Sequence, residues 1–184
     1  MRSGHVWAPA GHHHGGRRCH VGLRADLDGD GDTDVLSASV WDDKIAWYEN
    51  TDGDGGFGSQ RVITRMTNGA SSVFAADLDG DGDTDVLSAS GGDGTIAWYE
   101  NTDGDGGLGP QRNITTAADG ATWVYATDLD GDGDVDVLSA LWHGHKIAWH
   151  ENTDGAGGFG PKRVITRSAS GTRSLHAADL RRRR

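Results

Sequence analysis

One nine-residue run, Asp-Leu-Asp-Gly-Asp-Gly-Asp-Thr-Asp, occupies residues 26–34 and again residues 77–85. A third copy at residues 128–136 has Val135 in place of the threonine. A fourth starts at Asp179-Leu180 and gives way to Arg181-Arg182-Arg183-Arg184. Successive copies begin 51 residues apart. A fixed period of this length means a chain built from repeated supersecondary units, none of which buries its apolar face alone.

Each run sets five carboxylates at alternate positions. Two like charges about 5 Å apart repel by about 3 kcal/mol at an effective dielectric near 20. Such a cluster calls for a counter-charge, and a hard divalent cation with oxygen ligands supplies one; Ca²⁺ takes six to eight oxygens. In the second loop Asp77, Asp79 and Asp81 are expected to bind through their side chains. Gly82 makes the turn, Asp83 offers its backbone carbonyl, and Asp85 closes the loop. The same roles fall to Asp26, Asp28, Asp30, Asp32 and Asp34, and to Asp128, Asp130, Asp132, Asp134 and Asp136. Three Ca²⁺ sites are therefore expected. An EF-hand needs a bidentate Glu at position 12; here that position is Ser37 or Ser88, which excludes an EF-hand and a dockerin-like loop.

Composition supports turns and short strands. The chain has 184 residues, 30 of them Gly, and 28 acids against 17 Lys and Arg, for a net charge of −11. The three loops hold 15 of those 28 acids, so bound Ca²⁺ would offset much of the charge. An acidic chain with no basic stripe argues against nucleic acid as a partner. With Cys19 alone, no internal disulfide forms. No apolar run reaches the length of a membrane helix, and the first residues lack the apolar core of a signal peptide. An extracellular or cell-surface location is expected on chemical grounds, since Ca²⁺ sites of weak affinity fill at about 10⁻⁴ to 10⁻³ M.

Residues 1–24 do not fit the repeat. They include His12-His13-His14 and Gly15-Gly16-Arg17-Arg18. Both this segment and the arginine tail read as repeat sequence slipped by one base; codons for Asp-Gly-Asp-Gly shifted once encode four arginines. The repeats divide as 25–71, 72–122 and 123–173, with 174–184 as the truncated start of a fourth. Each is expected to hold four short strands, in the second repeat at 72–76, 85–90, 95–100 and 111–115. These runs are rich in β-branched and aromatic residues and bounded by Gly, Asp and Asn. Four strands in about 50 residues match one blade of a propeller. Trp47, Trp98 and Trp149 recur at one repeat position and are expected to pack between blades. A second acidic turn carries Asp52 and Asp54, then Asp103 and Asp105, then Asp154 with Ala156, and reads as a turn.

The Asp loop, followed by Phe57-Gly58, Leu108-Gly109-Pro110 or Phe159-Gly160-Pro161, resembles the FG-GAP/VCBS repeat family. The resemblance spans about residues 25–180. It implies blades of an integrin-α-like β-propeller with calcium in the loop between a blade's first two strands. The expected fold is all-β, a partial β-propeller of about three four-stranded antiparallel blades plus the start of a fourth. Such an arc cannot close a ring, so the chain is expected to be a fragment of a longer protein and to self-associate.

The resemblance implies a rigid extracellular binding or adhesion scaffold for a protein or carbohydrate ligand. The other reading is a fragment of a propeller-type polysaccharide lyase or hydrolase. His143, His145, His150 and His176 are its non-repeated candidates, but no nucleophile or acid–base spacing stands out, and no catalytic activity is expected. The repeats differ most in the turn between second and third strands: Val40-Trp41-Asp42-Asp43-Lys44, Gly91-Gly92-Asp93-Gly94-Thr95 and Trp142-His143-Gly144-His145-Lys146. A rigid scaffold bearing unlike loops is the usual layout of a binding surface. Trp41, Trp142, His143 and His145 are the expected contacts there.

Overall fold

The computed structural model describes residues 19–178. Twelve strands fall in three sheets. The first holds β1 (Cys19–Ala25), β2 (Asp34–Ser39), β3 (Lys44–Tyr48) and β4 (Arg61–Thr64). The second holds β5 (Ala70–Ala76), β6 (Asp85–Ser90), β7 (Thr95–Tyr99) and β8 (Arg112–Thr115). The third holds β9 (Ala121–Thr127), β10 (Asp136–Leu141), β11 (Lys146–His150) and β12 (Arg163–Thr166). Each sheet is an antiparallel meander in chain order, and no helix occurs among the described residues. This is the blade of a propeller, made three times.

The register sorts side chains to two faces, because alternate residues of a strand point to opposite sides. Trp98 lies opposite Leu87, which lies opposite Phe74. Tyr99, Val86 and Ala75 form the other row. The first row joins the cluster shared with the third sheet, where Val124, Val137 and Ala148 meet it. The second row joins Leu36, Ile45 and Trp47 of the first sheet. The core is thus two apolar layers between three stacked sheets. Every residue of β6 and β7 is buried, whereas β3 and β11 are only partly so. The middle blade is covered on both faces, the outer two on one.

The structure adds a strand that the repeat reading leaves out. Cys19–Ala25 pairs with β2, but the register shifts between Val21 and Arg24. In the other blades the equivalent stretch pairs evenly from Ser72 to Ala76 and from Trp123 to Thr127. Val21 faces Ser37 as Val73 faces Ser88, and Arg24 faces Val35 as Ala75 faces Val86, so Gly22 and Leu23 together stand where the second blade sets one residue and the strand bulges. Residues 1–18 and 179–184, including the histidine triplet and the arginine tail, lie outside the described residues. At the far end, residues 172–178 form no strand but follow the third blade with contacts that repeat those between blades. The Thr122 hydroxyl donates to the Thr172 carbonyl (3.2 Å), repeating the bond from Ser71 to the Ala121 carbonyl (2.7 Å). Phe74, Tyr125 and His176 make a ring ladder at the repeat spacing, with centroids 4.8 and 5.1 Å apart.

Candidate metal centres

Each acidic loop joins the first two strands of its blade, and its backbone turns on glycines in the left-handed region, such as Gly82 at φ 99°. Glycine alone adopts that region without steric cost. In the second loop Asp77 folds the turn over itself: its two carboxylate oxygens accept from the amides of Gly80 (2.7 Å) and Gly82 (3.1 Å). Asp85 is fully buried and accepts from Leu78 and Asn101, both at 2.8 Å. It ties the loop to the second acidic turn. The first and third loops repeat this, with Asp34 accepting from Leu27 and Asn50, and Asp136 from Leu129 and Asn152.

The structure brings together three of the five carboxylates in each loop. They are Asp26, Asp28 and Asp34; Asp77, Asp79 and Asp85; and Asp128, Asp130 and Asp136. One oxygen from each lies within 4.8 Å of the others. Asp30, Asp81 and Asp132, expected as side-chain ligands, stand outside these triads and accept from the amides of Asp32, Asp83 and Asp134. A carboxylate that caps a turn two residues on is an Asx turn. Asp32, Asp83 and Asp134 lean against the second acidic turn, where a Cβ on Gly104 would fall 3.0 Å from an Asp83 oxygen.

Several observations fit a cation to the triads. Asp28 and Asp79 each keep one buried Oδ1 with no hydrogen-bond partner. An unpaired buried carboxylate oxygen is costly unless a cation takes it. Burial pushes the Asp79 carboxyl above its ordinary range, helped by the nearby charge of Asp81. Burial does the same to Asp28, with Asp34 and Asp30 adding to it, and to Asp34 and Asp136. Asp85 is pushed up to about 7, mainly by burial, against the pull of the Asn101 and Leu78 amides. Protein oxygens alone define the centres, as hard cations prefer.

The second acidic turn has another job. Asp52, Asp103 and Asp154 each accept two amides of their own turn, those of Gly56, Gly107 and Gly158 among them at 2.8 Å. These amides hold the Asp52 carboxyl below the usual range, Gly56 foremost. In the second and third repeats this turn also grips the preceding blade. The Asn101 side chain donates to the Leu27 carbonyl (2.8 Å), and Asn152 to that of Leu78 (2.9 Å). The sequence reading missed these asparagines; their recurrence 51 residues apart was the available signal.

The opposite end carries the variable turns, laced to the links between blades. The Gly92 amide donates to the Asn68 carbonyl, the Trp142 amide to that of Gly120, and the Gly69 amide to Asp43. Trp41 is 71% exposed and Trp142 43%, with Arg173 over the Trp142 ring. His143 and His145 are exposed in the same turn. His150 is buried between the second and third blades, in the place of Tyr48 and Tyr99, and burial lowers its pKa. His176 lies against Tyr125. The four histidines do not converge. Trp47 and Trp98 are buried between blades, each under an arginine, Arg61 or Arg112, that pairs with Glu49 or Glu100.

The FG-GAP-like repeat model matches residues 26–88, 77–139 and 128–182. The chain belongs to this family, and its three sheets are blades of a partial β-propeller. A solved structure described as the basis of specific recognition of non-reducing terminal N-acetylglucosamine by an Agrocybe aegerita lectin is similar to it at a TM-score of 0.55 and 26% identity. The similarity covers 85% of this chain and 39% of that one, so this chain spans well under half the length of that lectin. No curated protein matches the chain.

Proposed function

We propose that this chain is a non-catalytic, calcium-stiffened propeller module that presents a carbohydrate-binding surface outside the cell. Calcium takes the three Asp triads and locks each blade's first hairpin. The blade ends opposite the metal loops carry the binding surface. The exposure of Trp41 and Trp142 in turns that differ between otherwise like blades carries this reading. A planar aromatic face suits a sugar's apolar side, and tryptophan is a common interface anchor. The similarity to a sugar-recognising lectin supports a glycan over a protein partner. The open apolar faces of the outer blades support self-association of the module.

Binding to glycans ending in N-acetylglucosamine, followed by calorimetry, tests the reading. The double variant Trp41→Ala/Trp142→Ala should lose about tenfold or more in affinity, about 1.4 kcal/mol per tenfold, while its calcium response holds. Undiminished binding by that variant contradicts the placement, and turnover of a polysaccharide contradicts the non-catalytic reading.

A groove of about 430 Å³ at the seam of the first two blades offers a second location. Ile63, Thr64, Met66, Tyr99, Pro110 and Gln111 line it. It joins apolar walls to the Tyr99 hydroxyl, bonded to Gln111, in the manner of small-ligand sites. Loss of glycan binding on Met66→Glu, with Trp41→Ala/Trp142→Ala unaffected, would favour it.

A further inference from the structure

The outer faces of the first and third blades are the two halves of an interface that the chain already makes twice. Leu27 and Leu78 are each 1% exposed beneath the following blade, but Leu129 is 37% exposed. The carbonyls of Leu27 and Leu78 each receive an asparagine from the next blade; among the described residues Leu129 receives none. The matching asparagine with no preceding blade among the described residues is Asn50. Trp47 and Trp98 press on Gly106 and Gly157 of the next blade, whereas Gly55 has nothing within 4 Å of a would-be Cβ. Leu108 and Phe159 pack against the preceding blade's cluster, while their counterpart Phe57 is 49% exposed.

We propose that two copies of this chain join head to tail, the first blade of each docking on the third blade of the other. An interface between unlike patches generates a ring where the rotation closes. Propellers typically hold four to eight blades. Two copies of three blades give six, within that range, and a third copy would exceed it. The incoming blade takes up the register of the internal interfaces, with Asn50 donating to the Leu129 carbonyl and Gly55 over Trp149.

The inner strand of the incoming blade is exchanged. Residues 172–178 already run where it belongs, held through Thr172 and His176. Their sequence, Ser174-Leu175-His176-Ala177-Ala178, fits the repeat Ser72-Val73-Phe74-Ala75-Ala76 closely. The β1 strand instead bulges at Gly22 and Leu23, where its register against β2 shifts, and sets Arg24 opposite Val35 in the place of Ala75. In the pair, residues 172–178 of one copy align with β2 of the other and displace β1.

The proposal rests on the self-association read from the open faces, independently of glycan or calcium binding. Light scattering on the 184-residue chain in calcium-containing buffer should give twice the chain mass. Phe57→Arg and Leu129→Arg, both at exposed positions, should each give the single mass with an unchanged circular dichroism spectrum, as should a chain truncated after Gly171. A monomeric parent chain overturns self-association altogether. A dimer that resists either arginine variant is a like-on-like pairing of one face, and overturns the head-to-tail ring. Open-ended polymers overturn ring closure, and a truncated chain that still dimerises overturns the strand exchange.

Discussion

Trp47 of the first blade lies so close to Gly106 of the second that a Cβ there would fall 2.5 Å from its ring. The contact couples the metal end of one blade to the body of its neighbour, and Trp98 and Gly157 repeat it. Gly106→Ala should destabilise the fold by about 1–3 kcal/mol through overpacking. Gly171→Ala, at a similar φ but with nothing within 4 Å, should cost only the backbone strain. Urea unfolding of the two variants checks the difference, and equal losses would mean that the tryptophan contact is slack.

Much of this was legible in the sequence, because the repeat fixes strand count and loop position together. Residues 85–90 formed a strand as expected, and 95–99 formed all but the last residue of the expected 95–100, where runs of β-branched and aromatic residues between Gly, Asp and Asn placed them. The division of labour among the five carboxylates was less visible. Asp81 and Asp79 look alike in the chain, and only the fold shows that Asp81 caps the Asp83 amide while Asp79 keeps an unpaired oxygen. The bulged β1 was hidden for a physical reason: Gly22 and Arg24 break the repeat, yet the free edge of β2 still finds backbone partners. The contact of Asn101 with Leu27 joins residues in different blades, and local pattern carries no sign of its partner.

Asp79→Ala should lower calcium affinity at the second site by at least tenfold, about 1.4 kcal/mol, because the triad loses a ligand. Asp103→Ala should leave calcium affinity near the parent value and lower stability by about 1 kcal/mol, since it removes turn-capping hydrogen bonds. Calcium titration and thermal melts of both variants read the two effects separately. Equal losses of affinity would contradict the assignment.

Metal-free protein should lose stability as pH rises. The Asp85 carboxyl has a folded pKa of about 7 against an ordinary 3.8. A group raised on folding binds its proton more tightly in the folded state, so its contribution is complete below about 4 and lost as pH climbs through about 7. Calcium needs the ionised carboxylate, so its stabilising effect should grow across the same window. Thermal melts from pH 4 to pH 8, with calcium and with chelator, should therefore diverge as pH increases. Parallel curves would contradict a cation at Asp85.

Calcium titration by calorimetry, paired with melting in calcium, magnesium and chelator, tests the central claim most directly. The three triads predict about three calcium ions per chain. They also predict a melting temperature that rises with free calcium as RT ln(1 + [L]/Kd), with little response to magnesium, which demands near-octahedral geometry. No binding heat, together with melting curves that coincide in calcium and in chelator, would contradict the account.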